Sequence, residues 1–423
     1  MDEFARAWAR AGHRVRVLTG FPNHPEGVLH PAYRRPWRKG LVREKHQGVD
    51  VYRTWLYPAA NRGLWGRGAN YCSFAFSAAV TGPWVTPRGG VVIATSPQLL
   101  VGVAGYVAAR ARRVPFVFEV RDLWPQSLEA VGQTSRRSLL YRTLDRVADF
   151  LYRNADHIVL DGAWKRRELV ASGVPPEKIS IVMHGVAEDF AFEPHSPVAQ
   201  EERARLRNHI PLRDGFVVLY AGTLGMAHDL ETVLAAAGRL RVHPDIVFIL
   251  IGEGAHREQV MARIEELRLA NVRVLGKLPR PEIPKWLAAA DACLVPLRKR
   301  EVFKTAIPSK MFEAMAAAKP VILGVEGEAQ EILADARAGI AVPPEDPEAL
   351  AEAILRLRQD ARLARELGAN GRRAALGKYS RAKQATAYAE LLARVASVPT
   401  AAAQPAPEFH AINRPEGLRG RHS

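Results

Sequence analysis

Short apolar runs alternate with amphipathic stretches along almost the whole chain. The runs are three to six residues long, as expected of buried strands, and the stretches between them carry apolar residues at helical spacing. In the first half, the pattern predicts strands at 15–18, 91–94, 115–120, 157–160 and 179–182. It predicts helices at 4–11, before 112, and near 138–153 and 163–172. This alternation indicates an α/β fold with a parallel sheet covered by helices.

A second series of the same kind begins near residue 216. Its predicted strands are 216–220, 246–251, 272–275, 292–295, 321–323 and 339–342, and residues 347–395 are predicted to be mainly helical. Residues 187–214 have no clear period, and we place the interdomain linker there. The tail at 396–423 is rich in Ala, Pro, Gly and Arg, and we expect it to be disordered.

The first half lacks one expected element. A chain that opens on an amphipathic helix followed by a strand lacks the strand that should precede that helix, and such a first strand is usually central in a doubly wound sheet. We therefore expect a coding start about 15–30 residues upstream, judged from the size of one strand and its turn.

Length and composition exclude several classes of protein. A chain of 423 residues exceeds one ordinary core, so two domains are expected. The sequence has no apolar run long enough to span a bilayer, and its start lacks the features of a secretory signal. Cys72 and Cys293 are the only cysteines, which argues against a disulfide framework and fits a reducing cytoplasm.

The net charge of +16 is concentrated in residues 1–190, which contain 27 Lys and Arg against 16 Asp and Glu. The densest cluster mixes cations with aromatic rings: Tyr33, Arg34, Arg35, Trp37, Arg38, Lys39, Arg43 and Lys45. This mixture favours an anionic membrane surface. Nucleic acid is disfavoured because no binding motif accompanies the charge, and a solvated loop is the other alternative.

The segment 307–321 carries the clearest chemical signal. Pro308 and Ser309 suit a helix start, apolar residues then recur at helical spacing, and Pro320 ends the helix before a new strand. A helix that begins at Ser309 and Lys310 offers free N–H groups and a cation to a phosphate. Glu313 follows one turn later, where its carboxylate can accept hydrogen bonds from ribose hydroxyls.

Glycine-containing loops follow the neighbouring predicted strands. Gly222, Thr223 and Gly225 follow the first strand of the second series, and Glu253 lies in the Gly-Glu-Gly turn after the next strand. Lys277 and Leu278 follow the third strand. Because ligands of open α/β sheets bind outside the carboxyl ends of the strands, these loops predict a nucleotide site at one edge.

Candidate catalytic carboxylates lie in the first half. Asp122 and Glu119 end a predicted strand that faces the interdomain cleft, and Asp122 is our first candidate for catalysis, with Glu119 or His24 as alternatives. An ion pair with Arg121 or a helix cap is the structural alternative for Asp122. No Asp-x-Asp pair follows a strand, so we expect no metal and no cofactor.

Taken together, the second-half loops, with the run Pro308-Ser-Lys310, Phe312-Glu-Ala-Met315 and Lys319-Pro-Val321, resemble family-4 retaining glycosyltransferases of the GT-B fold. Thr19-Gly-Phe-Pro, Arg121-Asp-Leu-Trp-Pro125 and Gly173-Val-Pro-Pro resemble the branch containing N-acetylfucosaminyl transferases of bacterial surface-polysaccharide assembly. The resemblance implies two Rossmann-like domains facing across a cleft. The first domain, 1–190, would bind the acceptor, and the C-terminal helix at about 376–395 would return to pack on it. The second domain, 215–375, would bind the nucleotide sugar.

Three positions depart from the family pattern. Thr305 stands where the family has the first of two glutamates, and Glu313 matches the second, which reaches the ribose. Thr223 and His228 stand in the loop where the family keeps an Arg and a Lys. Neutralisation of the diphosphate is therefore expected from Lys310 and backbone amides, with Lys304 or Lys277 as additional candidates.

The resemblance implies transfer of a hexose or N-acetylated deoxyhexose, expected to be UDP-linked, to a sugar on a polyprenyl-diphosphate carrier. The expected location is the cytoplasm, peripherally on the inner face of the plasma membrane. The apolar stretch 71–84 is either a lipid-facing surface or a buried core helix. A nucleotide-sugar 2-epimerase and a non-catalytic nucleotide-sugar-binding protein are the alternative functions.

Overall fold

The computed structural model describes residues 1–23, 27–59, 64–130, 134–190, 193, 196–208 and 215–397. These residues form two α/β units, as the alternating pattern predicts. The strands of the first unit are β1 (Arg16–Gly20), β2 (Leu41–His46), β3 (Val49–Thr54), β4 (Val92–Thr95), β5 (Phe116–Val120), β6 (His157–Leu160) and β7 (Ile179–Ile181). Its helices are α1 (Asp2–Arg10), α2 (Arg34–Trp37), α3 (Leu64–Val85), α4 (Leu99–Arg112), α5 (Gln126–Ala130), α6 (Leu139–Asn154) and α7 (Ala163–Ala171).

The second unit follows the same plan with a larger sheet. Its strands are β8 (Phe216–Ala221), β9 (Ile246–Ile251), β10 (Val272–Val274), β11 (Ala292–Pro296), β12 (Val321–Gly324) and β13 (Gly339–Ala341). The remaining helices are α8 (Pro197–Asn208), α9 (Leu230–Arg239), α10 (Arg257–Glu266), α11 (Ile283–Ala289), α12 (Ser309–Ala316), α13 (Glu328–Ala336), α14 (Pro347–Gln359), α15 (Ala361–Gly377) and α16 (Arg381–Ser397).

Parallel pairing dominates both units. The second sheet has the order β10-β9-β8-β11-β12-β13, and every pair in it is parallel. In the first unit, β4-β5-β6-β7 form a parallel sheet, and β1-β3-β2 form a smaller one in which β2 is antiparallel. Among the described strands, β1 pairs only with β3 and β4 only with β5. The expected upstream strand stays a prediction.

Side-chain alternation along the central strands fills both faces of each sheet. Phe116 and Phe118 belong to the core under α4 and α6, whereas Val117 belongs to the core formed with α1 and α16. Helix α16 therefore returns from the second unit to pack on the first, where Trp8 Nε1 donates to the carbonyl of Ala385 at 2.8 Å. The last helix therefore connects the two units by packing on the first one.

The β2–β3 hairpin was not predicted. Its strand β2 reads Leu-Val-Arg-Glu-Lys-His, and charged residues dominate because the strand lies at a sheet edge with mostly exposed or half-buried side chains. Arg43 pairs with Asp50 across the hairpin at 3.0 Å. The predicted basic cluster is thus divided, with its first part on and just after α2 and its second part on β2.

The predicted linker at 187–214 contains structure within its described part. Helix α8 packs on α11, and Asp291 accepts hydrogen bonds from Arg203 at 2.7 Å, from Arg207, and from the backbone N–H of Val217 at 2.7 Å. These bonds attach α8 to the second unit, so the region predicted as the linker contains a helix that belongs to that unit. Residues 398–423, which include most of the predicted disordered tail, lie outside the described residues.

Candidate functional site

The candidate site lies where the strand order of the second sheet reverses. Along the chain, β8, β9 and β10 build the sheet outward in one direction, and β11, β12 and β13 build it in the other. The crevice at the carboxyl ends of β8 and β11 is therefore the switch point at which open α/β sheets bind ligands. The predicted loops after β8 and β9 and the start of α12 meet there.

The glycine turn after β8 is held against the turn after β9. The N–H of Gly222 donates to the carbonyl of Ile251 at 2.8 Å. A Cβ on Gly252 would lie 1.8 Å from the carbonyl oxygen of Gly222, and one on Gly222 would lie 2.7 Å from Lys310 Nζ. Only glycine fits at position 252, where the neighbour is backbone, whereas a side chain at position 222 would displace the end of the Lys310 side chain.

Lys310 supplies a half-buried cation at this point. Its Nζ donates to the Tyr220 hydroxyl at 3.1 Å and lies 4.4 Å from the centroid of the Tyr220 ring. Burial lowers the pKa of Lys310 to about 8, and the nearby Glu313 carboxylate opposes that shift. A cation held in a partly desolvated crevice attracts an anionic ligand strongly.

Tyr220 and His228 were not predicted as functional residues. The Tyr220 hydroxyl donates to the carbonyl of Thr223 at 2.6 Å and also receives Lys310, so it orients both the loop and the cation. Burial, together with the Lys310 charge, lowers the pKa of His228 to about 4, which keeps its ring neutral at pH 7. The position of Tyr220 near the end of β8 could have indicated a role in the site, but an aromatic residue in a strand usually belongs to the hydrophobic core.

The start of α12 differs in detail from the prediction. Pro308 is the N-cap, Ser309 is the first helical residue, and no side chain caps the helix. The Ser309 side chain is exposed rather than used as a cap. The hydroxyl and the first N–H groups of α12 therefore remain available to a phosphate beside Lys310.

Glu313 lies one turn after Lys310 and is half-buried. Burial raises the pKa of Glu313, and the positive charge of Arg280 opposes this effect. Arg280 itself makes two hydrogen bonds to Asp189, at 2.8 and 3.4 Å. Arg280 was not predicted, although it directly follows the loop that contains Lys277 and Leu278.

The other predicted donor-binding residues lie around this core of the site. Thr223, Glu253 and Lys277 are exposed, and Gly225 and Leu278 are half-buried. Glu253 pairs with Arg257 at 3.2 Å. Lys304 pairs with Glu301 at 2.8 Å, and Thr305 Oγ1 donates to the carbonyl of Val302 at 3.1 Å. Lys304 thus has a carboxylate partner already, whereas Lys310 lies against the Gly222 turn.

The structure places the two candidate catalytic carboxylates, Asp122 and Glu119, in different surroundings. Asp122 is exposed in the connection between β5 and α5, and α5 contacts the turn Glu301–Thr305 of the second unit. Asp122 therefore borders the interdomain cleft. Glu119 is 4% exposed and lies 3.4 Å from His184 Nε2, on the sheet face covered by α1 and α16. His24 lies outside the described residues.

The two units also contact each other directly. The Glu328 carboxylate, at the start of α13, accepts hydrogen bonds from the N–H groups of Ala163 and of Trp164, the latter at 3.1 Å. Glu328 therefore caps α7 of the other unit. It is 2% exposed, and burial raises its pKa. The contact fixes one edge of the cleft.

A separate cavity of about 280 Å³ lies beside α1 and α16. It is lined by α1, by α16 and by charged side chains that include Arg6, Arg280 and Arg381. Its lining contains none of the predicted donor-binding residues. The predicted donor-binding residues Gly222 and Lys310 lie instead in the crevice where the strand ends converge.

Comparison with known proteins decides the family. The profile "Glycosyl transferase 4-like domain" matches residues 1–185, and "Glycosyl transferases group 1" matches residues 202–374. The probable glycosyltransferase WbjE of Pseudomonas aeruginosa is 30% identical over 286 residues, covering 67% of this chain and 69% of WbjE. This chain is a group 1 glycosyltransferase. The predicted family is thereby confirmed at this level.

Other relatives of this glycosyltransferase agree. The putative colanic acid biosynthesis glycosyl transferase WcaI of Escherichia coli K12 is 26% identical over 359 residues, covering 82% of this chain and 84% of WcaI. The solved structure of Anabaena Alr3699/HepE in complex with UDP-glucose matches with a TM-score of 0.64 at 18% identity, covering 90% and 100% of the two chains. The GT-B fold predicted for this glycosyltransferase is confirmed.

Proposed function

We propose that this glycosyltransferase moves a hexose or N-acetylated deoxyhexose from a UDP-linked donor to a sugar on a polyprenyl-diphosphate carrier. The observation that carries the donor part is the half-buried Lys310 ammonium, which lies at the start of α12 beside the Gly222 turn. The complex of the similar fold with UDP-glucose supports a UDP-linked donor. The colanic acid name of WcaI supports a role in surface-polysaccharide synthesis.

The donor side must stabilise the charge that grows on the departing diphosphate. Lys310 and the first N–H groups of α12 are placed to do so. Because these groups already neutralise the leaving group, we expect transfer without a divalent metal. Glu313 would accept hydrogen bonds from the ribose hydroxyls of the bound nucleotide.

The acceptor side requires a carboxylate near the attacking hydroxyl. Asp122, exposed at the cleft edge of the first domain, is our candidate for accepting the proton of that hydroxyl. Thr305 supplies no carboxylate at the position where the family has its first glutamate. Retention of the anomeric configuration, and membership of the N-acetylfucosaminyl branch, rest on the sequence resemblance.

The acceptor is a membrane lipid in this proposal, so the protein would work at the cytoplasmic face of the plasma membrane. No helix among the described residues has the length and apolar content needed to cross a bilayer. We therefore propose peripheral attachment, supported by the positive charge of the first domain.

Nucleotide release from UDP-, GDP- and dTDP-sugars tests the proposal, with bacterial membranes as the source of acceptor and EDTA in a parallel arm. We expect release from one donor that requires membranes and persists in EDTA. Release that does not depend on membranes would favour an epimerase or hydrolase. Tight binding of a nucleotide sugar without release under any condition would favour a binding protein, and loss of release in EDTA would refute metal independence.

A further inference from the structure

Helix α3 exposes one continuous apolar face. Its opposite face is buried at Ala78, Gly82 and Val85, where a Cβ on Gly82 would lie 2.9 Å from Ala108 Cβ of α4. The exposed positions among the described side chains of α3 are all apolar or carry a thiol, and we name them the apolar stripe: Trp65, Ala69, Cys72, Phe76, Val80 and Trp84. At 3.6 residues per turn, the stripe spans an arc of about 120° and a length of about 29 Å opposite the buried face.

The stripe is more exposed than isolated surface apolar residues usually are. Trp65 is 93% exposed, Trp84 is 83% exposed and Phe76 is 72% exposed. Single exposed apolar residues need no explanation, but a contiguous apolar patch marks a surface that meets another apolar phase. The prediction for 71–84 thus resolves into both alternatives, because one face of the helix is core and the other is open.

The segment that follows β3 extends this surface along one flank of α3. The Tyr57 N–H donates to Ser73 Oγ at 2.8 Å, and Tyr57 is itself 53% exposed. On its other side, Trp37 Nε1 of α2 donates to the carbonyl of Leu56 at 2.9 Å. Helix α2 therefore adjoins the stripe through this segment, and it brings exposed cations on and just after it: Arg34, Arg35, Arg38 and Lys39.

The charge around the stripe identifies what covers it. Residues 51–118 contain seven Arg and no Asp or Glu, and the exposed Arg88 follows the end of α3. A second copy of this chain would bring an equally positive rim against the first and be repelled. An anionic bilayer instead offers acyl chains to the aromatic rings and phosphates to the cations.

We propose that α3 lies parallel to the surface of an anionic bilayer, with the apolar stripe inserted at the boundary between headgroups and acyl chains and with α2 on the headgroups. The purpose of this insertion rests on the proposed function, because it would hold the acceptor domain at the level of a lipid-linked sugar. The insertion itself does not depend on that function. The orientation directs the stripe, and not the whole first domain, into the bilayer.

Cys72 provides a natural reporter at the middle of the stripe. It is exposed, whereas Cys293 is buried and burial raises the pKa of its thiol to about 12, so an environment-sensitive thiol fluorophore will label Cys72 selectively. We expect vesicles of phosphatidylglycerol and phosphatidylethanolamine to shift the label's emission to the blue, to shield it from aqueous iodide, and to allow quenching by nitroxides on the acyl chains. Vesicles of phosphatidylcholine alone should bind at least ten-fold more weakly.

Phe76→Glu with Trp84→Glu should weaken binding to the anionic vesicles at least ten-fold. Val242→Glu is the matched control, since Val242 is 79% exposed in the second domain, and it should bind as the unmodified protein does. Thermal unfolding checks the fold of each variant. If the glutamate variant does not fold, Phe76→Ser with Trp84→Ser replaces it.

The proposal is overturned if vesicle-bound protein leaves the Cys72 label open to iodide, or if the stripe variant binds as tightly as Val242→Glu. Protection of Cys72 without vesicles, rising with protein concentration as dimers form in light scattering, would instead assign the stripe to self-association. These measurements use no sugar donor. An insertion result as expected, together with failure of nucleotide release, would therefore reject the proposed function and leave this inference standing.

Discussion

Replacing Lys310 with Met separates the binding role of this lysine from any structural role. The pKa of Lys310 falls from 10.5 to about 8 because the side chain is buried. At neutral pH, keeping the ammonium charged in the folded protein therefore opposes folding by about 3 kcal/mol. Met fills a similar volume and requires no solvation. We expect the Lys310→Met protein without ligand to be at least as stable as the natural one.

The same change should sharply weaken nucleotide binding. A hydrogen bond to a charged group contributes about 1.5–3 kcal/mol, and two unit charges 4 Å apart near a protein surface attract by about 4 kcal/mol. We therefore expect the Kd for the preferred nucleoside diphosphate to rise about 10-fold to 700-fold, as these energies imply. Calorimetric titration with UDP, GDP and dTDP measures it.

The pH dependence gives an independent readout. The folded-state pKa of Lys310 lies below its unfolded value, so the unfolded protein binds more protons between about pH 8 and 10.5, and this group makes folding more favourable as pH rises through that window. Nucleotide affinity should move in the opposite direction, weakening above about pH 8 as free Lys310 loses its proton. Both dependences should diminish in Lys310→Met.

Lys319→Met is the matched control. Burial also lowers the pKa of Lys319 to about 8, but its Nζ donates to the carbonyl of Ala288 at 2.8 Å, beyond the other end of α12. Nucleotide affinity should stay within about two-fold of the natural value, since no ligand charge is involved. A Lys310→Met protein that binds nucleotide within three-fold of normal, or that loses more than about 2 kcal/mol of stability, would refute the reasoning.

Three further substitutions test other parts of the site. Gly222→Ala places a Cβ 2.7 Å from Lys310 Nζ and should raise the nucleotide Kd at least ten-fold. Gly225→Ala, whose new Cβ has its nearest contact at 3.5 Å, should change the Kd little. Equal effects of the two substitutions in titration would contradict the steric argument. Asp122→Asn should slow acceptor-dependent nucleotide release about 100-fold with donor affinity unchanged, and a rate above half of normal would exclude Asp122 as the base. Glu328→Ala leaves two N–H groups of α7 unpaired and should lower stability by about 1–2 kcal/mol in thermal or denaturant unfolding. Its control Glu331→Ala, which removes an exposed pair with Arg167 at 3.6 Å, should have almost no effect, and a similar loss in both would show that the Glu328 cap adds nothing.

The amino-acid sequence by itself determined every described strand except β2 and β3, many of the helices and the candidate donor-site loops. Runs such as 246–251 are apolar because both faces of a central parallel strand are buried. The residues of the run are therefore sufficient to predict the strand. Gly222 and Lys310 could be predicted in the same way, since a glycine directly after a strand and a lysine at a helix start can be recognised without reference to distant residues. The charged strand β2 was missed because its alternation carries little apolar signal at an exposed edge.

Only the tertiary structure decided how these local pieces meet. Lys310 reaches Tyr220 across 90 residues of sequence, and Glu328 caps a helix that begins 165 residues earlier. Alternation along β5 turned Glu119 toward α1 and α16 while the following loop left Asp122 at the cleft. Such contacts depend on how whole helices and sheets pack, and packing involves residues distant in sequence whose pairing no local pattern encodes. The sequence therefore supplied the candidate groups of this glycosyltransferase's site, and the fold decided which of them lie close together.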